Sequence, residues 1–196
     1  MLGLKMATDP RWVSVVSKNL EEILVDHAFC EQKAASSAIS IIVQYPQYSD
    51  LVLAMTGICQ EEMQHFNMVH EKLIERGFKL GFERKDPYVN DLSVFLRRNK
   101  TNSSKKGLFV NQMLFAAMIE ARSCERFKIL SEQLEDEDLK IFYRSLMESE
   151  ARHYTTFLHF AKKYGDGINV DERWKAFLEF EASLMEKYSK KETMHG

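Results

Sequence analysis

The sequence predicts an all-α protein: a four-helix bundle with a long crossover between its second and third helices and an extra helix at the C-terminus. Three observations carry this. Only three prolines and eight glycines punctuate 196 residues, and apolar residues recur at spacings of three and four with little β-branched alternation. In addition, a helical Glu followed by a helical Glu-x-x-His occurs twice. Glu31 precedes Glu62 and His65, and Glu120 precedes Glu150 and His153, at offsets of 31 and 30 residues.

Thr8-Asp9-Pro10 reads as a helix start, with a capping side chain and proline in the first turn, ahead of a short helix holding Trp12, Val13 and Val16. The first long helix runs from about Asn19 to Gln44. Leu20, Ile23, Leu24, His27, Glu31, Ala34, Ala35, Ala38, Ile41 and Ile42 lie on one face, and Tyr45-Pro46 ends it. Ser49-Asp50 is expected to cap the second, about 49–76, which Gly77 closes. Its inward stripe is Leu51, Met55, Ile58, Glu62, His65, Phe66, Val69 and Leu73.

A crossover of about 77–104 follows, with a short helical piece near Asp91 to Arg98. The third helix spans about Lys105 to Leu134, with Leu108, Met113, Ala116, Ala117, Glu120, Cys124, Phe127 and Leu130 inward. The fourth spans about Asp138 to Tyr164 with Phe142, Leu146, Glu150, His153, Phe157 and Phe160 inward, and Gly165-Asp166-Gly167 stops it. The acids Glu135 to Asp138 sit at its N-terminus, where the helix dipole favours them. The last helix, about Val170 to Ser189, offers Trp174, Phe177, Leu178 and either Phe180 or Leu184 for packing, and a frayed tail from Lys190 is expected.

Residues three apart share a helix face, so each Glu-x-x-His aims a carboxylate and an imidazole at one point. Both pairs, and both upstream glutamates, stand in apolar stripes rather than on solvated faces. Four buried carboxylates are very costly unless paired or metal-bound. Two divalent cations would balance their four charges while the histidines stay neutral. This is the ligand set of a carboxylate-bridged two-metal site, with iron and manganese both open. No catalytic residue beyond the metal ligands is legible.

Three cysteines, Cys30, Cys59 and Cys124, lack CxxC spacing and read as small core residues rather than thiolate ligands. His27 lies one turn before Glu31, as a core histidine or as a hydrogen-bond partner to that glutamate. His70 and His159 fall off the ligand spacing, and Tyr154 points about 100 degrees from His153. The partners of the second ring nitrogens of His65 and His153 are not legible.

Length fits one domain, 1–196. No apolar run reaches the roughly 18 residues that span a bilayer, and Met1-Leu2-Gly3-Leu4-Lys5 lacks a signal-peptide core, so a cytoplasmic protein with no membrane partner is expected. From Arg76 to Lys106, nine basic residues face three acidic ones, a local +6 in a chain of net −2 that leaves −8 elsewhere. Arg84, Lys85, Arg97, Arg98, Lys100, Lys105 and Lys106 are candidate contacts for a polyanion such as RNA; a merely solvated loop is the alternative.

Four segments carry a closer resemblance. They are Leu24-Val25-Asp26-His27-Ala28-Phe29-Cys30-Glu31-Gln32-Lys33-Ala34-Ala35, Glu61-Glu62-Met63-Gln64-His65-Phe66, Ile119-Glu120-Ala121-Arg122-Ser123-Cys124-Glu125-Arg126-Phe127 and Glu148-Ser149-Glu150-Ala151-Arg152-His153-Tyr154. In these the chain resembles the ferritin-like di-iron superfamily, and within it the tRNA hydroxylases that act on methylthio-isopentenyl-adenosine beside the anticodon. The resemblance implies two iron ions, with Glu31 and Glu120 as terminal ligands, Glu62 and Glu150 bridging, and His65 and His153 one per iron. It also implies O2 as co-substrate, tRNA as substrate and an external electron-donating reductase, since no flavin or iron–sulfur motif is present. Monomer and dimer both remain open. Rival readings are a ferritin-like iron-handling protein, a bundle that only binds a partner, and a di-iron oxygenase acting on another small molecule.

Overall fold

The computed structural model describes residues 2–98, 104–188 and 193–194. Among them, all regular structure is helical: α1 (Trp12–Lys18), α2 (Leu20–Gln44), α3 (Ser49–Glu75), α4 (Pro87–Arg98), α5 (Lys105–Gln133), α6 (Glu137–Tyr164) and α7 (Val170–Tyr188). No helix among the described residues is long and apolar enough to cross a membrane. The chain divides into two compact units, one of residues 18–85 with 192–194, the other of 1–17, 86–191 and 195–196.

The first unit is the α2–α3 hairpin. Ile23, Leu24, Ala35, Ala38 and Ile41 of α2 are buried, as are Leu51, Met55, Ile58, Val69 and Leu73 of α3. Those are the stripes the periodicity predicts, apart from partial exposure at Leu20, Ala34, Ile42 and Phe66. The α3 terminus is set by Gly77 at φ +72, whose N–H reaches Ile74 O while Phe78 N–H reaches Leu73 O. This left-handed cap satisfies end carbonyls that a β-carbon would make costly to reach. At the other end, Tyr48 rather than Ser49 occupies the cap position and no side chain caps it, so Ser49-Asp50 begins the helix instead of capping it.

The second unit is built on the α5–α6 hairpin, with α4 and α7 packed against each other and against α5. Phe95 of α4 lies 4.7 Å from Phe177 and 5.3 Å from Phe180 of α7. Ser104 Oγ accepts from Gly107 N–H, and Asp136 Oδ1 accepts from Leu139 N–H, so each of the two long helices has a side-chain cap. Gly165 ends α6 where a β-carbon would collide with Ala161 O and press on Val110 and Val170.

Several expectations are corrected. Helix α4 begins at Pro87, not near Asp91, because Asp86 Oδ1 accepts from Val89 N–H and proline tolerates the first helical position. At the start of α1 the capping side chain is Asp9, whose Oδ1 accepts from Arg11 N–H at 2.9 Å, while the Thr8 N–H and hydroxyl both go to the Glu125 carboxylate, at 2.9 and 2.6 Å. The tail is not frayed at Thr193–Met194: both are buried, and Met194 N–H donates to Asp26 Oδ2 at 2.6 Å. His195 lies outside the described residues.

Helix α5 departs furthest from its expected stripe. Besides the apolar face, Arg122, Ser123, Glu125 and Arg126 are buried. Arg122 donates to Glu181 Oε1 from both Nε (3.0 Å) and Nη2 (2.5 Å), to Glu125 at 3.0 Å, and to Met6 O at 3.0 Å. Tyr88 O–H donates to the same Glu181 oxygen at 3.0 Å. Burial, then the Glu181 charge, raises the Tyr88 phenol well above its ordinary value, so it stays a donor. Arg126 lies 4.3 Å over the Trp12 ring; burial and neighbouring Arg122 bring it down to about 10, still cationic at neutral pH.

Candidate metal centre

In the first unit, α2 supplies Glu31 and α3 supplies Glu62 and His65. All three are buried, at 4, 0 and 7% exposure. One donor atom of each lies within 4.8 Å of the others. His65 Nδ1 stands 3.5 Å from Glu31 Oε2 and 3.7 Å from Glu62 Oε2. These separations exceed a well-formed hydrogen bond; the groups face one another as ligands around a common point do. The cause is local and sequential. Three residues carry Glu62 to His65 almost one turn along α3, and both fall inside the apolar stripe that packs on α2.

His27, one turn before Glu31 on α2, is fully buried, and its Nε2 lies 2.6 Å from Glu31 Oε1. The hydrogen-bonding alternative for His27 is therefore the observed one. Burial by itself would raise the Glu31 carboxyl, but the hydrogen bond to His27, with the nearby His65 imidazole second, outweighs it and holds the group well below the usual carboxylate range. Glu31 is thus kept anionic in an apolar setting, with Oε1 occupied by His27 and Oε2 turned to His65.

In the second unit, Glu120 of α5 and Glu150 and His153 of α6 form the matching triad. Their exposures are 4, 2 and 3%, and one donor atom of each again lies within 4.8 Å of the others. Cys124, one turn after Glu120, donates its thiol to Met147 O at 3.4 Å. Burial, then the Glu150 and Glu125 charges, pushes that thiol up to about 12, which removes it as a thiolate ligand at neutral pH. Cys30 and Cys59 are half-buried, and neither joins a metal-competent group among the described residues.

The donor chemistry fits a hard to borderline divalent ion. Each triad offers two carboxylates and one imidazole, the mixture that suits iron or manganese, and no thiolate that would favour a softer metal.

The other expected residues are placed as follows. His70 is half-buried with its ring 6.2 Å from Phe66, and His159 is exposed. Tyr154 donates to Leu2 O at 3.1 Å. Of the RNA candidates, Lys85, Lys105 and Lys106 are exposed and Arg84 is half-buried; Lys106 lies 3.6 Å from Asp166. Arg97 and Arg98 are the last residues of α4, and Lys100 lies outside the described residues. The sequence reading missed the Arg122–Glu181–Glu125–Tyr88 network altogether. Charged residues in mid-helix ordinarily mark a solvated face, and nothing in the chain points Glu181 at Arg122, 59 residues away.

The family model described as tRNA-(MS2IO6A)-hydroxylase (MiaE) matches residues 2–196. A tRNA 2-(methylsulfanyl)-N(6)-isopentenyladenosine(37) hydroxylase of Pseudomonas putida is 36% identical, over 83% of this chain and 77% of that protein. The hydroxylase of the same name from Salmonella typhimurium is 28% identical, over 86% of this chain and 77% of that protein. Among solved structures, a Synechococcus protein with aldehyde deformylating oxygenase activity is similar at a TM-score of 0.87 and 28% identity, covering 98% of this chain and 95% of its own. The fold is the all-α, ferritin-like one expected from the sequence.

Proposed function

The chain belongs to the MiaE family of tRNA hydroxylases, and on that premise we propose that it hydroxylates the isopentenyl group of methylthio-isopentenyl-adenosine in tRNA. The observation that supports this best is the presence, at the positions where the family pattern expects ligands, of two fully enclosed triads of two carboxylates and one imidazole. Glu31, Glu62 and His65 would serve one iron, and Glu120, Glu150 and His153 the other. When bound, such a pair supplies the redox capacity to use O2 and electrons from a separate reductase for oxygen insertion into an unactivated C–H bond.

The chain's own residues account for the rest. The Glu31 charge is kept in an apolar interior, which favours a cation there before substrate arrives. His27 fixes which oxygen of Glu31 faces His65. Burial keeps bulk water from the donors, which strengthens their electrostatic interactions and limits side reactions. The exposed lysines Lys85, Lys105 and Lys106, with Arg84, would meet tRNA phosphates.

A second reading, an oxygenase acting on a small molecule, is favoured by the likeness to the Synechococcus oxygenase. Nucleoside mass spectrometry separates the two. tRNA carrying methylthio-isopentenyl-adenosine is incubated with iron-loaded protein, a reducing system and O2. A one-oxygen gain at that nucleoside, abolished by Glu150→Ala, is the expected result. No gain with two irons per chain confirmed would move the activity to another substrate.

A further inference from the structure

Beyond Gly77 the chain leaves α3 and runs without regular structure from Phe78 to Asp86. Two contacts tie this segment back to α2: Lys79 N–H reaches Glu21 Oε1 at 3.4 Å, and Lys33 Nζ pairs with Glu83 Oε1 at 3.0 Å. Between the ties stands Phe82, which is 94% exposed. The other exposed large hydrophobic residues among those described range from 39 to 74% and lie on helices. Gly81, at φ +63 with open space around its α-carbon, turns the backbone immediately before Phe82. A phenyl ring that far from the core contributes almost nothing to folding. Single exposed apolar residues are common, so exposure alone would decide nothing here.

The surroundings decide it. Within three residues on either side are Lys79, Arg84 and Lys85, and the acid among them, Glu83, is neutralised by Lys33. What the segment presents outward is one aromatic face flanked by the exposed Lys79 and Lys85, with the half-buried Arg84 beside them. That combination matches single-stranded nucleic acid, whose unstacked bases lie on aromatic rings while cations follow the backbone. It matches duplex poorly, because paired and stacked bases offer no free face.

We propose that Phe82 is a stacking platform for an unpaired base of the tRNA anticodon loop, with Lys79, Arg84 and Lys85 on the flanking phosphates. This rests on the tRNA reading above and adds to it the element that holds the loop. The modified adenosine neighbours the anticodon, so its neighbours are unpaired bases, and an enzyme that takes one base out of the loop gains from holding the next.

The test is fluorescence anisotropy with a labelled anticodon stem-loop and, in parallel, a fully paired duplex of the same length. Phe82→Ala should weaken stem-loop binding about 5- to 100-fold, leave duplex binding unchanged, and leave the slope of affinity against salt unaltered, because no phosphate contact is lost. Phe82→Trp should restore the affinity. Thermal unfolding of both variants should match the wild type. Stem-loop affinity within twofold of wild type in Phe82→Ala, or an equal loss on stem-loop and duplex, overturns the proposal. So does unchanged RNA binding joined to slower turnover with the reductase alone, which would make Phe82 a protein-docking residue. Wild-type protein that binds neither RNA would sink the tRNA reading itself, whereas normal binding unaffected by the variant sinks only the role of Phe82.

Discussion

Replacing His27 by Ala tests whether the buried histidine positions a metal ligand or merely fills the core. The native contact is short, 2.6 Å between Nε2 and Glu31 Oε1, and both side chains are enclosed. A hydrogen bond to a charged group contributes about 1.5–3 kcal/mol, and its loss leaves a buried carboxylate oxygen with no replacement donor from water. If Glu31 is a ligand, part of that loss appears as metal affinity. Outer-shell partners are worth about 10–100-fold, or roughly 1.4–2.7 kcal/mol. Anaerobic calorimetric titration of the metal-free protein with Fe(II) measures it directly, without reference to turnover. A weakening in that range is expected for His27→Ala, with partial recovery in His27→Gln, which still carries an N–H donor. The metal-free variant should also melt lower by about 2–4 °C per kcal/mol lost. Lower melting with Fe(II) affinity within twofold of wild type would refute the positioning role and leave His27 a core residue.

Four further outcomes follow from the same structure. Glu181→Ala takes from the buried Arg122 guanidinium one of its two carboxylate partners, leaving Glu125, and should cost about 3–5 kcal/mol by chemical denaturation, whereas Glu181→Gln, which keeps the side-chain volume and an acceptor for Tyr88, should cost less; equal losses in both would show that charge alone, not packing, governs the site. Arg84→Glu with Lys85→Glu should weaken tRNA binding and flatten its salt dependence by about one to two units of slope, and an unchanged slope would exclude both from phosphate contact. At pH 8 in the native state, iodoacetamide should label half-buried Cys30 and Cys59 well before Cys124, whose thiol stays protonated up to about pH 12; mass mapping that finds Cys124 first would contradict its burial. Gly165→Ala should destabilise by about 1–3 kcal/mol through overpacking, read as a lower melting temperature, because the added carbon meets backbone as well as Val110 and Val170.

The sequence by itself determined the long helices, the inward faces of α2 and α3 in the main, and the six candidate ligands. Each of these is written in short-range periodicity. Glu62 and His65 meet because three residues make nearly one turn, and Leu51, Met55, Ile58, Val69 and Leu73 enter the core because they share that face. Helix starts were less legible: Asp86-Pro87 and Asp136 act as caps only in the backbone geometry the chain finally adopts. What the tertiary structure alone decided lies in contacts between residues far apart in the chain. Thr8 donates to Glu125 across 117 residues, Met194 docks on Asp26, and Arg122 and Glu181 cancel each other's charge inside the protein. No local pattern encodes such pairs. An arginine in mid-helix is equally compatible with water and with a buried carboxylate, and the choice between them is made by desolvation, which depends on what packs over the residue rather than on its neighbours in sequence.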